Sequence, residues 1–350
     1  MPSANNTRRL WALLAGWSLI ALIALATVSL LLLSLGLSPL TLAGVMIAGI
    51  SGSWQKFHPV LAGLIPLLLC ACGLLFTFRA GLWNIGVEGQ MIVGAIGATF
   101  VLRQAGSGLA PTLLIALALW AAFAAGGLWG IVAGLLKNRG GVNEIFGGLG
   151  LNFVAQAAIL WLILGPWQRE GMASMSGTDL FKPELWLAMP QGWRVAPSAL
   201  ILAIGAFLLT ALLLGASRFG LRLKAVGCNP LAARLFRLHP GRIGLAAMFL
   251  GGGLAGLAGG LQVAGVYHRL IPPISSGYGY LALLIVMLAN YTIMPVPFIA
   301  LFFAALVAGS IQLPIVLQLD SSLSGVIQGA CVLSALLVHG LRQQGWKESK

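Results

Sequence analysis

Hydrophobic residues in this chain do not alternate with polar ones; they come in long blocks. Apolar runs recur near 10–35, 59–78, 82–102, 112–136, 144–165, 196–216, 243–266, 279–293, 296–318 and 323–341. Most approach the length of about 20 residues at which an α-helix crosses a hydrocarbon layer. Polar or Pro/Gly-rich breaks separate them at 51–59, 104–111, 137–142, 166–197, 217–242, 267–277 and 294–297. The pattern predicts an all-α fold, a polytopic transmembrane helical bundle of about ten spans, with 1–350 forming one transmembrane domain. Arg8 and Arg9 precede an apolar run that continues to Leu37, longer than the core of a cleaved signal peptide, so an uncleaved first span is expected.

Composition closes off other classes. The chain is 59% hydrophobic and 8% charged, with a mean hydropathy of +0.98, whereas a soluble domain is about 25% charged. The net charge of +13 would suggest nucleic acid in a soluble protein, but its distribution assigns it to the membrane. With the N-terminus inside and the spans alternating, fourteen Lys and Arg fall on the cytoplasmic side, among them Arg79, Lys137, Arg139, Arg218, Arg234, Arg242 and Lys350. Lys56, Arg103, Arg169, Lys182, Arg194 and Arg269 fall outside. This bias places both termini in the cytoplasm. It makes 166–197 an external loop, whose Trp167, Trp186 and Trp193 suit the outer membrane surface. It makes 217–242 the long cytoplasmic segment. Neither the four cysteines nor the four dispersed histidines have metal-ligand spacing, so no metal or cofactor is expected.

Polar residues inside the apolar runs are the candidates for function. The stretch "GLWNIGVEGQMIVGAIGA" (81–98) carries Asn84, Glu88 and Gln90. On a helix Asn84 and Glu88 share a face, while Gln90 falls among Gly86, Gly89, Gly94 and Gly97. A carboxylate at membrane depth costs a few kcal/mol, so Glu88 must face protein, water or the interface. A place on a translocation path and an ion pair with Arg79 both fit, and the glycines also allow a broken helix lining a cavity. Asn143 fits a helix cap with Glu144 in the first turn, a reading favoured over a substrate role for the two. Asn152 and Gln156 share a face one turn apart. Gln262, Tyr278, Asn290 and Gln328 are further path candidates. Gly252, Gly256 and Gly260 form one stripe for close helix packing. Asn229-Pro230 is a helix start, opening a short basic helix to Leu238 that stops at His239-Pro240-Gly241. Such a helix either meets a partner or lies on anionic lipid. The chain has no G-x-x-x-x-G-K-[ST] loop, no G-x-S-x-G elbow and no H-E-x-x-H motif, which argues against ATP hydrolysis by this chain itself. With seven carboxylates in all, no chain of acids for proton relay is visible.

The 81–98 stretch, with its N-I-G-x-E-G-Q string, resembles the signature of ABC-importer permeases of the nucleoside and basic-membrane-protein group, relatives of the ribose and branched-chain amino-acid permeases. "GLRLKAVGCNPLAARLFRL" (220–238), "FLGGGLAGLAGGLQVAG" (249–265) and "SSGYGYLALLIVMLAN" (275–290) are similar to later segments of that family, and the likeness runs in order over about 75–340. The resemblance implies a permease subunit, not an enzyme, in a bacterial cell membrane. A second permease subunit, alike or different, completes the path, with a separate ATP-binding subunit below and an external substrate-binding lipoprotein above. It implies that Gly227, Asn229, Pro230, Arg234 and Arg237 belong to the ATPase-coupling segment. It implies a path for a nucleoside or related small polar solute, a simple sugar being the alternative cargo. A self-sufficient secondary transporter is the less favoured reading, and a membrane-embedded enzyme lacks a visible catalytic constellation.

Overall fold

In an apolar run the backbone has no water to bond to and must satisfy itself, which makes helices the default. The computed structural model describes residues 38–104, 108–169 and 175–311, with isolated positions in 26–36 and 313–333. Eleven α-helices run through the described residues. They are α1 Pro39–Ser51, α2 Trp54–Arg79, α3 Val87–Leu102, α4 Pro111–Asn138, α5 Glu144–Leu164, α6 Pro197–Ala216, α7 Arg218–Cys228, α8 Pro230–Leu235, α9 Pro240–Gln262, α10 Tyr278–Leu288 and α11 Val296–Ser310. A π-helical turn, Val263–Tyr267, continues α9, and a short 3₁₀ turn occupies Pro183–Leu185. No extended strand occurs among the described residues.

Helices α2, α4, α5, α6 and α9 with its π-turn are long and apolar enough to cross a membrane, while α1, α3, α10 and α11 are shorter apolar helices. The helical bundle expected from the hydropathy blocks is therefore present. The expected first and tenth crossings lie outside the described residues, isolated positions apart. Three details depart from the pattern. The helix expected over 82–102 begins only at Val87. The run 279–293 yields α10, of 11 residues, about 16 Å long and half the thickness of a bilayer core. The apolar stretch after the first run, assigned to no span, forms α1.

Residues 61–304 form one compact unit, and 1–60 with 305–350 form another. In the second, Gly309 lets α11 approach Met46 and Ile50 of α1. The first is built on α3, α4 and α9, which pack on one another. Glycine makes that approach possible. A Cβ on Gly252 or Gly256 would strike backbone of α4 at Gly126 or Ala122, and one on Gly94 of α3 would strike Gly256. Gly260 lies against Ala122, where a Cβ would stand 2.6 Å from its methyl. Lipid gives helices no hydrophobic reason to associate, so such close contact supplies the dispersion energy that holds them.

Candidate functional site

The polar residues gather where two non-helical stretches, 80–86 and 268–277, precede α3 and α10. Helix α2 ends at Arg79 and is closed by Gly81, whose φ is 74°. Leu82 N–H bonds Thr77 O at 2.9 Å and Gly81 N–H bonds Phe78 O at 3.0 Å, a Schellman closure that glycine adopts without Cβ strain. Asn84 consequently lies outside the helix and shares no helical face with Glu88. It pairs instead with Gln90. Asn84 Nδ2 donates to Gln90 Oε1 and Gln90 Nε2 donates to Asn84 Oδ1, each at 2.9 Å. Gly252 of α9 gives this pair room: a Cβ there would stand 3.3 Å from Gln90 Cδ.

Glu88, in the first turn of α3, reaches across to α10. Its Oε1 accepts the N–H of Gly277 at 3.1 Å and its Oε2 that of Gly279 at 2.9 Å, with the Ser275 hydroxyl and the Tyr280 N–H also interacting. The first N–H groups of a helix have no intrahelical partner, and a negative charge there opposes the positive end of the helix dipole. The carboxylate is thus a cap for α10 supplied from a distant part of the chain. Among the described residues, the ion pair with Arg79 that the sequence allowed is not formed; the ion pairs are Lys137–Glu144 at 2.6 Å and Arg169–Asp179 at 3.6 Å.

Asn152 of α5 completes the seam. Its Oδ1 accepts the N–H of Gly89 at 2.8 Å, and its Nδ2 donates to Ile85 O at 3.0 Å and to the Tyr280 hydroxyl at 3.1 Å. Gln156 Nε2 donates to Pro272 O at 3.4 Å. Asn84, Glu88, Gln90 and Asn152 are each at most 7% exposed, so their hydrogen-bonding capacity is turned inward. The other path candidates stand apart. Tyr278 opens α10 with its hydroxyl beside Gly63. Asn290 ends α10 in the left-handed region, φ 51°, where Asn290 N–H bonds Met287 O and Tyr291 N–H bonds Val286 O, each at 3.0 Å. The side chain that sequence reasoning passed over is Tyr280, a residue 41% exposed whose hydroxyl Asn152 holds. It stands two residues after Tyr278, so helical periodicity turns the two side chains to different sides of α10.

The loop after α5 is tied down. Thr178 N–H bonds Leu270 O at 2.9 Å, Phe181 N–H bonds His268 O at 2.9 Å and Leu187 N–H bonds Ala264 O at 3.0 Å. Trp186 stacks on His268, with ring centroids 4.0 Å apart and 11° between planes. Trp186 therefore packs on the segment around the π-turn of α9. Burial lowers the pKa of the His268 imidazole.

In the segment 217–242 the expected start of the basic helix is present. Asn229 Oδ1 accepts the N–H groups of Leu231 and Ala232, each at 3.0 Å, ahead of Pro230 at the first helical position. Leu231, Leu235 and Phe236 are exposed. Arg234, Arg237, His239 and Arg242 line an open hollow of about 600 Å³. Gly227 lies against the Gly81 turn, and a Cβ there would strike Arg79 O. The segment thus touches the entry to the polar seam directly. Asn143 also caps as expected, its Oδ1 accepting Ile145 N–H at 2.9 Å.

These features define a polytopic helical membrane protein in which a buried polar seam fastens two interrupted helices. The chain belongs to the family described as branched-chain amino acid transport system / permease component, whose model matches residues 57–336. It is a multi-pass membrane protein, and the resemblance to ABC permeases of the nucleoside group holds. A glucose ABC transporter permease protein of Haloferax volcanii is 30% identical over 60% of this chain and 57% of that one. A guanosine ABC transporter permease protein of Bacillus subtilis is 28% identical over 63% of this chain and 64% of that one. A nucleoside ABC transporter permease protein of Lactococcus lactis subsp. cremoris is 24% identical over 53% of each. The chain therefore spans between about half and two thirds of the length of these relatives.

Proposed function

We propose that this chain is the path-forming permease subunit of an ATP-driven importer in a bacterial cell membrane. The cargo is a nucleoside or related small polar solute, received from an external binding protein. Hydrolysis takes place on a separate ATP-binding subunit, and a second permease subunit completes the path. The observation that carries the reading is the construction of α8: a capped, basic helix with Leu231, Leu235 and Phe236 exposed, adjoining Gly227, which abuts the Gly81 turn. Exposed apolar side chains rimmed by arginine suit a groove on a partner protein. A displacement of that helix passes through Gly227 to the turn that leads into Asn84, Glu88 and Gln90. In this reading Glu88, Asn152 and the Asn84–Gln90 pair hold the path-forming segments in register, and Gln156, Tyr278 and Asn290 lie along the route. The guanosine and nucleoside permeases among the relatives favour nucleoside cargo. The glucose permease supports a sugar as the second reading.

The test is uptake of radiolabelled guanosine and of glucose into vesicles holding the chain with its ATP-binding subunit, partner permease and receptor. Guanosine accumulation that requires ATP supports the proposal. Accumulation by this chain alone, without nucleotide, refutes it, and accumulation of glucose in place of guanosine selects the second reading.

A further inference from the structure

Helix α9 ends at Gln262, and the π-turn Val263–Tyr267 follows it directly. A π-turn is wider than the α-helix it continues, and small residues leave the space beside this one unfilled. Gly265 has no side chain, and a Cβ there would stand 3.1 Å from Leu187 Cδ1. The other walls include Ala62 on α2, and Val195, Ala196 and Ala199 around the start of α6. With Gln262 they line a hollow that leaves about 10 Å³ for the centre of a water-sized sphere. That admits a water-sized group and is far too small for a sugar or a nucleoside.

Polar groups from two of these walls lack a partner. Gln262 is 3% exposed, yet its side-chain amide bonds nothing among the described residues. Val195 and Ala196 are buried as well, and their backbone N–H groups have no acceptor among the described residues. Buried backbone N–H groups are almost always paired, and an amide left bare in an apolar wall is unfavourable. A backbone donor on one side and an amide that both donates and accepts on the other complement a water molecule. Such a water needs two to four polar neighbours, and the hollow supplies them.

We infer that Gln262 and the Val195–Ala196 backbone hold one buried water molecule that fastens the start of α6 to the end of α9. The water oxygen accepts from a backbone N–H of this pair, and one of its hydrogens goes to Gln262 Oε1. Helix α6 buries only Ala199, Ala203, Thr210 and Leu214, so apolar packing alone places it weakly. A directional bond at Ala196, the residue that precedes its first turn, sets where the helix begins. The inference stands apart from the importer reading, and its test needs no uptake.

Radiolytic footprinting of the full chain in vesicles is the test, because hydroxyl radicals formed from a bound water oxidise the side chains beside it. Ile65 and Leu261 line the hollow and are 4% and 2% exposed, so radicals from bulk water do not reach them. Both should be oxidised, while Ile159 and Ile163 of α5, also buried and not on the hollow's wall, should stay unmodified. Gln262→Leu keeps the bulk and removes the amide. Oxidation at Ile65 and Leu261 should then fall roughly 5- to 150-fold, the occupancy lost with one hydrogen bond to a buried group. A wild-type chain in which Ile65 and Leu261 are no more oxidised than Ile159 and Ile163 overturns the site, as does undiminished oxidation in an inserted Gln262→Leu chain. Excess guanosine or glucose, added to the assembled transporter, should leave the pattern unchanged. Loss of oxidation on adding either solute would put a cargo hydroxyl in that place and overturn the water assignment. Should Gln262→Leu fail to insert, the wild-type contrast between the hollow and α5 decides by itself.

Discussion

Replacing Glu88 by Gln changes almost nothing in shape and everything in hydrogen bonding. The carboxylate gives one oxygen to Gly277 N–H and the other to Gly279 N–H. Glutamine has a single acceptor, and its NH₂ must face one of those two donors. One charge-assisted bond is lost, about 1.5–3 kcal/mol, and the surviving one weakens to the neutral range of about 0.5–1.5 kcal/mol. A backbone donor is left unsatisfied, and the favourable contact of charge with the start of α10 disappears. Relief of the carboxylate's desolvation offsets part of this. The net is a loss of about 1–3 kcal/mol, concentrated at the first turn of α10. Hydrogen exchange reads that locally: amides around Gly277 and Gly279 should exchange roughly 5- to 150-fold faster in Glu88→Gln, with the α3–α4–α9 core unchanged. Guanosine uptake should fall with the lost protection, since the same two bonds hold α10 in register with α3. Unaltered exchange at those two amides in an intact Glu88→Gln chain would show that the carboxylate does not cap α10, and the positioning argument would fail with it.

Three further outcomes follow from the geometry. Changing Leu231, Leu235 and Phe236 together to Ser should abolish ATP-driven uptake while leaving membrane insertion intact, measured by uptake alongside surface labelling; Asn229→Ala alone should weaken α8 by about 1 kcal/mol. Gly227→Ala places a methyl against Arg79 O and should cost about 1–3 kcal/mol, read as a lower thermal midpoint together with reduced coupling of ATP hydrolysis to uptake. Burial lowers the His268 pKa, so the undocked loop binds the proton more tightly than the docked one; docking should be at full strength above the ordinary imidazole value of about 6.5 and weaken as pH falls below it. Hydrogen exchange at 178–187, corrected for intrinsic rates, should accelerate between pH 7.5 and pH 5, and His268→Phe should remove that dependence.

Local signals in the chain were read correctly where the physics is local. Asn143 and Asn229 cap because a short amide side chain reaches a nearby N–H, and the three bonds span two or three residues. The Gly252, Gly256 and Gly260 stripe announced close packing because helical periodicity alone puts the three on one face. Hydropathy located the long helices but did not register the break before Val87 or the shortness of α10. A half-helix and a crossing helix draw on the same residues, and turn chemistry at Gly81 and Asn290 decides where each stops. Helix α1 escaped notice for a related reason: its apolar stretch adjoins a longer one, with no charge between them to mark two elements.

By itself, then, the order of residues determined that this chain is a helical membrane protein, where most long helices run, which glycines bring them close, and where the short basic helix starts. Those properties follow from periodicity, capping and solvation, each set within a few residues. Tertiary structure decided what the buried polar groups do. Glu88 caps α10 from 189 residues away, and Asn152 fastens Tyr280 across 128. No local rule encodes those partners, because a buried carboxylate or amide is satisfied by whichever backbone the folded bundle brings within 3 Å or so, and that choice exists only once α3, α5 and α10 have packed.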